Sequence, residues 1–153
     1  RIGQYLGYPA RFDSLQQAAD AMWIMSSSFG PHTAQQWLEL SRHMVRTLPD
    51  GGLAMHYDPA IAQAFKAMTP EASAASALQL WQLYDRIHAR TLLLRGAQSD
   101  LLSPETAQAM VHRGPMAKLV EFEGVGHAPT LMAQDQVQVV SEFLLAPEAT
   151  VAA

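Results

Sequence analysis

An acidic and a basic side chain stand at matching points of the sequence. Asp100 closely follows the apolar run TLLLR at residues 91–95, and His127 closely follows the run KLVEF at residues 118–122. A carboxylate that accepts the Nδ1–H of a histidine fixes its tautomer and stabilises the imidazolium formed when Nε2 takes a proton. The pattern therefore predicts a general base, His127, that is oriented by Asp100.

A helix between the two apolar runs decides how they are arranged. Ser103 is a good N-cap, and Pro104 fits the first helical position, where its missing N–H costs nothing. The helix is predicted to end near residues 113–115, so the segment has the order strand, helix, strand. A unit of this length joins parallel strands, so that Asp100 and His127 lie beyond the carboxyl ends of neighbouring strands. Open α/β sheets bind their ligands at that edge.

Composition excludes several classes of protein. With 153 residues, of which 49% are apolar and 16% charged, the chain suits one globular domain with a reasonable core. The net charge of −4 provides no basic surface for nucleic acid or for an anionic membrane. The absence of cysteine excludes disulfides, thiolate–zinc sites and a cysteine nucleophile. No apolar run reaches the ~18–20 residues of a membrane span and no signal peptide is visible, so the predicted localisation is cytoplasmic.

Mostly helical elements precede the strand–helix–strand unit. Residues 1–12 have the pattern of a helix tail and a connector. Asp13 is the predicted N-cap of a helix over residues 14–26, with Gln16 at the capping-box position. The remaining predicted elements are a helix from Thr33 to about Leu48, a turn at 49–52, an extended piece at 53–57, one or two helical turns at 60–68, a helix from Pro70 to about Tyr84 and a closing helix at 134–145.

The parallel sheet is expected to be incomplete in this chain. Parallel sheets are covered on both faces and need several strands, whereas only two parallel strands, with at most a weak third, are predicted. Either another chain supplies the missing strands, or the sequence is the latter half of a larger protein.

The chain resembles the carboxyl-terminal half of an α/β-hydrolase in the segments TLLLRGAQSDLLSPETAQAM and LVEFEGVGHAPTL, followed by a final amphipathic helix and FLL. In that family the last two strands carry the acid and the histidine of a catalytic triad, in the order nucleophile, acid, base. The resemblance places Asp100 at the acid and His127 at the base. It implies a helical cap with its connector over residues 1–88, the last part of the α/β core over 89–146 and a tail over 147–153.

The nucleophile of such a triad is missing from the 153 residues. Neither a G-x-S-x-G elbow nor an HGGG-type oxyanion segment occurs. None of the serines that could substitute is predicted on a strand-to-helix elbow: Ser26, Ser27, Ser28, Ser41, Ser99 and Ser103. We therefore expect the nucleophile to lie outside the sequence, and this chain alone to be inactive.

The resemblance also implies a reaction and a pocket. The reaction would be hydrolysis of a small, fairly apolar ester or a related acyl or C–C substrate, with His127 as general base and then general acid. An aspartate nucleophile would instead imply epoxide hydrolysis or dehalogenation, and neither version implies a metal or an organic cofactor. The candidate pocket residues flank the proposed acid and base or belong to the cap: Leu101, Leu102, Pro129, Leu131, Trp23 and Trp37.

A non-catalytic alternative stays open. The half-fold could be a binding or assembly module that pairs with a complementary chain or with itself, because unpaired sheet edges associate readily. Two other patterns are weak evidence for a binding site. Gly124 and Gly126 begin a dinucleotide-binding fingerprint, but Pro129 occupies the position of its third glycine. His56 with Asp58 is more simply a local polar pair than a metal site. The predicted partners are a small-molecule substrate and either a separate amino-terminal half or a second copy, without nucleic acid or membrane.

Overall fold

The computed structural model describes residues 10–63 and 69–147. The chain divides into two compact units. The first contains the residues up to Ser27 together with His32–Tyr84, and the second contains Ser28–Pro31 together with the residues from Asp85 onward. The division into three parts at residues 88 and 146 stays a prediction.

The first unit combines a small antiparallel sheet with helices. Its elements are β1 (Arg11–Phe12), α1 (Leu15–Ser26), α2 (Ala34–Arg42), β2 (Val45–Thr47), β3 (Leu53–Met55) and α3 (Pro70–Tyr84). The strands have the order β1-β3-β2, and both pairings are antiparallel. The predicted turn between β2 and β3 is confirmed, since the amide of Leu48 donates to the carbonyl of Gly52 at 2.7 Å and Gly51 has a φ of +83°.

Two predictions about this sheet are wrong. The helix expected to run from Thr33 to about Leu48 ends at Arg42, and residues 45–47 form β2 instead. The β-branched side chains of Val45 and Thr47 suit a strand, and the backbone of residues 45–47 pairs with β3. Residues 11–12, predicted as connector, form β1 on the other side of β3. Residues 1–9 and 64–68, to which other predicted segments belong, lie outside the described residues.

The first helix begins one residue later than predicted. Ser14, rather than Asp13, is the N-cap, because its hydroxyl accepts a hydrogen bond from the amide of Gln17. The Gln17 side chain in turn accepts the amide proton of Asp13, so Gln17 has the role expected of Gln16. Helices α1 and α2 then pack through small and apolar residues, and the Trp37 indole donates to the carbonyl of Ala19 at 2.8 Å.

The second unit is the predicted β-α-β-α arrangement. Its elements are β4 (Leu92–Gly96), α4 (Pro104–Val111), β5 (Lys118–Phe122) and α5 (Gln134–Leu145). Strands β4 and β5 are parallel, with register partners from Leu92 and Lys118 to Gly96 and Phe122. Ser103 caps α4 and Pro104 begins it, as predicted. Among the described residues this sheet has two strands, which confirms that it is incomplete within the chain.

Candidate active site

Two loops meet beyond the carboxyl ends of β4 and β5. The acid loop comprises residues 97–102 and contains Asp100; the base loop comprises residues 123–127 and ends at His127. The amide of Gln98 donates to the carbonyl of Val125 at 2.9 Å, so backbone hydrogen bonding joins the two loops directly. The structure thus brings the loops of the two predicted site residues to one edge of the sheet, within one unit.

Gly96 explains how the loops come so close. A Cβ built on this residue would lie 2.1 Å from the carbonyl oxygen of Gly126 and 2.3 Å from that of Val125. The base loop therefore passes directly over the last residue of β4. Only glycine leaves room for that passage.

The acid loop is a tight structure with internal hydrogen bonds. The amide of Ser99 donates to the carbonyl of Gly96 at 2.9 Å, and the amide of Leu102 donates to the hydroxyl of Ser99 at 3.1 Å. Asp100 lies in the sequence between the residues that form these bonds, and it is exposed to solvent. Among the described residues, β4 is paired with one strand, β5, so the sheet beside the acid loop is open on its other side.

The base loop is held through its backbone. Gly124 has a φ of +73°, and the side chain of Val125 is buried. The amide of Gly126 donates to the carbonyl of Ser28 at 2.5 Å, and a Cβ on Gly126 would lie 2.6 Å from that oxygen. Segment 28–31, though distant in sequence, therefore supports the turn that presents the exposed His127.

The segment after His127 is anchored on the last helix. Leu131 has a left-handed φ of +59°, and its amide donates to the side-chain oxygen of Gln136 at 2.8 Å. Gln136 is buried in the first turns of α5. This contact fixes the path of the chain as it leaves the base loop.

The pocket candidates lie in two places. Leu101, Leu102, Pro129 and Leu131 belong to the acid loop or to the segment after the base loop, and Leu101 and Leu131 are exposed. Their role as pocket wall stays a prediction.

The other two candidates belong to the first unit. The ring centroids of Trp23 and Trp37 are 5.1 Å apart, in an edge-to-face arrangement, and His32 joins the same aromatic cluster. The cluster lines a cavity of about 280 Å³ together with polar side chains that include Gln16 and Asp20. Trp37 is buried, as a core residue would be, whereas Trp23 is partly exposed.

Electrostatic effects near the acid loop are local. The pKa of Glu105, in the first turn of α4, lies below its ordinary value because its own backbone amide and the Ser103 hydroxyl hydrogen bond to the carboxylate. The positive charge of Arg95 acts in the same direction. Within the part of the chain that the structure describes, no group of three or more histidine and acidic side chains could hold a metal ion.

Sequence reasoning missed several residues that shape the site. The sequence predicts no role at the site for Arg95, Gly96 or Ser28, which hold or make room for the two loops. One signal was present in the sequence: Arg95 is the charged residue in an otherwise leucine-rich strand. The contact of residues 28–31 with the base loop had no local signal, since it joins positions almost a hundred residues apart.

The chain is similar in sequence to a known hydrolase. No family model matches the chain. It is 42% identical over 146 residues to a 3-hydroxybutyrate-oligomer hydrolase of Cupriavidus necator, which covers 94% of this chain and 50% of that protein. The chain therefore spans about half the length of this relative.

Solved structures show the same fold. An α/β hydrolase from Novosphingobium aromaticivorans superposes with a TM-score of 0.76 at 33% identity, over 94% of this chain and 50% of that one. A Rickettsia typhi protein assigned as a hydrolase gives a TM-score of 0.74 at 26% identity, over 94% of this chain and 46% of the other. The described chain thus has a partial α/β-hydrolase fold and resembles its carboxyl-terminal half. None of the helices among the described residues is long and apolar enough to cross a membrane.

Proposed function

We propose that this chain supplies the acid and the base of an α/β-hydrolase that cleaves esters. The observation that supports this most directly is the hydrogen-bonded pair of loops at the carboxyl edge of β4 and β5, which carries Asp100 and His127. An acid and a histidine at that edge suit a triad in which the nucleophile precedes both in sequence. The nucleophile, a serine in this proposal, comes from residues outside these 153.

The proposed mechanism uses His127 twice. It first takes the proton of the serine hydroxyl while the serine oxygen attacks the ester carbonyl, and Asp100 stabilises the resulting imidazolium. The imidazolium then gives its proton to the departing alkoxide as the C–O bond breaks. In the second half His127 takes a proton from water, the hydroxide displaces the serine from the acyl group, and the proton returns to the serine oxygen.

The Cupriavidus relative supports a proposal for the substrate class. That protein is a 3-hydroxybutyrate-oligomer hydrolase and is 42% identical to this chain. We propose that the protein to which these residues belong hydrolyses the ester bonds of short 3-hydroxy acid oligomers. Such a substrate is small and fairly apolar, and each cleavage releases a carboxylate and a hydroxyl group.

The test compares variants of the complete native protein on 3-hydroxybutyrate dimers and trimers and on p-nitrophenyl butyrate. His127→Ala should lower kcat by about 10⁵-fold or more, because the reaction loses its base and its acid. Asp100→Asn should lower kcat by about 10⁴-fold, because the histidine loses its orientation. Release of acid is followed by titration at constant pH.

His88→Ala is the matched control, because His88 is an exposed histidine of the same unit that belongs to neither loop. It should retain normal activity. Full activity in His127→Ala would overturn the assignment of the base. Cleavage of the aryl ester without cleavage of the oligomers would overturn the substrate class alone.

A further inference from the structure

Arg95 is a buried cation beside the proposed site. Only 3% of its side chain is exposed, although it precedes the last residue of β4. A buried charge is costly unless it is paired and hydrogen-bonded. The groups that satisfy this guanidinium therefore indicate what the residue does.

The partners of Arg95 are the two ends of the acid loop and the neighbouring strand. Its Nε donates to the carbonyl of Leu102 at 2.8 Å, and its Nη1 donates to the carbonyl of Ala97 at 3.3 Å. The Nη1 group also donates to the carboxylate of Glu121, which is the register partner of Arg95 on β5. One planar group thus closes the acid loop and ties it to the strand that leads to His127.

We propose that Arg95 is a positioning residue that sets the place of Asp100 relative to His127, an inference that rests on the proposed function. The loop carbonyls on either side of Asp100 are both fixed by the same rigid fork. A guanidinium directs several N–H groups in one plane, which the single ammonium of lysine cannot reproduce. A displacement of roughly 1 Å in such a constellation costs about 100-fold in rate.

A double-mutant cycle on the complete native protein tests this role. The activity of Arg95→Met, Asp100→Asn and the double variant is measured on p-nitrophenyl butyrate, alongside the unaltered protein. Arg95→Met nearly preserves the length of the side-chain stem and removes the donors. Glu121→Gln is the matched control, because it keeps an acceptor for the guanidinium and removes only the charge of a partly exposed partner.

Arg95→Met should lower kcat by about 100-fold in the unaltered background, and by about threefold or less in the Asp100→Asn background. A residue that acts through Asp100 has little left to position once the carboxylate is gone. Arg95→Lys should recover little of the lost activity. Glu121→Gln should lower kcat by about fivefold or less.

An equal loss in both backgrounds would overturn the proposal, because it would show that Arg95 acts on the fold as a whole. Normal activity in Arg95→Met would overturn it as well. The single variant Asp100→Asn, in which Arg95 is intact, tests the proposed function separately. Normal activity in that variant would show that Asp100 is not the acid of the triad. The two failures are therefore distinguishable.

Amide hydrogen exchange gives a readout that does not depend on activity. The amides of Ser99 and Leu102 should exchange faster in Arg95→Lys than in the unaltered protein, while those of β5 keep their protection. This measurement also decides the question if Arg95→Met does not fold. Unchanged exchange in the acid loop of Arg95→Lys would show that the guanidinium does not hold it.

Discussion

The acid loop and the base loop lie side by side and are held by opposite means. A buried side chain, Arg95, hydrogen bonds to both ends of the acid loop. The base loop depends instead on the lack of side chains: Gly96 lets it pass over β4, and Gly126 lets it approach the backbone of Ser28. The acid loop is held by added side-chain hydrogen bonds, whereas the base loop needs positions without a side chain.

This difference predicts how the two loops respond to substitution. The acid loop should tolerate changes around Arg95 in proportion to the hydrogen bonds that remain. The base loop should tolerate none at its two close approaches, because the obstacle there is backbone, which cannot move aside like the end of a flexible side chain. Enlarging a glycine is therefore the sharper test of the base loop.

Among the substitutions that enlarge a glycine, Gly96→Ala should have the largest effect. The new methyl group would lie within 2.3 Å of two carbonyl oxygens of the base loop, so the loop must move away from β4. We expect the free energy of unfolding to fall by about 3 kcal/mol, and kcat on p-nitrophenyl butyrate to fall by about 100-fold. Urea titration and steady-state kinetics measure the two losses.

Gly124→Ala, a substitution within the base loop itself, is the control. A Cβ there meets no atom within 4 Å, so the cost is limited to the left-handed backbone at φ +73°. That strain amounts to about 1 to 2 kcal/mol. Equal losses in the Gly96 and Gly124 variants would contradict the view that the close approach, rather than backbone conformation, makes Gly96 necessary.

Gly126→Ala should have the next largest effect. Its Cβ would lie 2.6 Å from the carbonyl oxygen of Ser28 and 3.0 Å from the Ser28 Cβ. We expect a loss of about 2 kcal/mol in unfolding free energy and at least about a tenfold loss in kcat, since His127 is the next residue. The same urea and kinetic measurements apply.

The Ser28→Gly variant separates backbone from side chain at this contact. It removes the Ser28 Cβ and hydroxyl but leaves the carbonyl oxygen in place. The double variant with Gly126→Ala should therefore recover less than half of the lost stability. Complete recovery would mean that the Ser28 side chain, and not its backbone, limits the approach.

The smallest expected effect concerns an ion pair that belongs to neither loop. The Arg113 guanidinium hydrogen bonds to Asp85 and holds the pKa of that carboxyl below its ordinary value of 3.8. A lowered pKa in the folded state adds stability that is fully present above pH 3.8 and is lost as the pH falls through the folded value. Asp85→Asn should therefore make stability fall less steeply in acid, with normal activity at neutral pH.

Urea unfolding at a series of pH values between about 2 and 7 measures this change. The substitution should leave the two loops unchanged, because Asp85 and Arg113 lie outside both of them. A variant with the same acid dependence as the unaltered protein would contradict the role of Asp85. A loss of activity at neutral pH would show that this pair also influences the loops.

Prediction succeeded where local signals and the hydrophobic pattern agreed. The βαβ unit has a leucine run, a serine–proline helix start and a second apolar run. Both strands formed within one residue of their expected bounds, whereas the helix ends at Val111, two to four residues before its expected end. It failed at residues 45–47, because Met44, Val45 and Leu48 continue a helical pattern while Val45 and Thr47 also suit a strand. Strand β3, which lies later in the chain, decided between the two.

The sequence by itself determined the β-α-β-α order of the second unit and the placement of Asp100 and His127 after two parallel strands. Those features depend on hydrophobic periodicity, helix capping and glycine turns, which act over a few residues. Only the tertiary structure decided what holds the loops: the bonds of Arg95 to two carbonyls, the passage of the base loop over Gly96 and the support from Ser28. These contacts join distant positions, and close packing rather than local preference selects them.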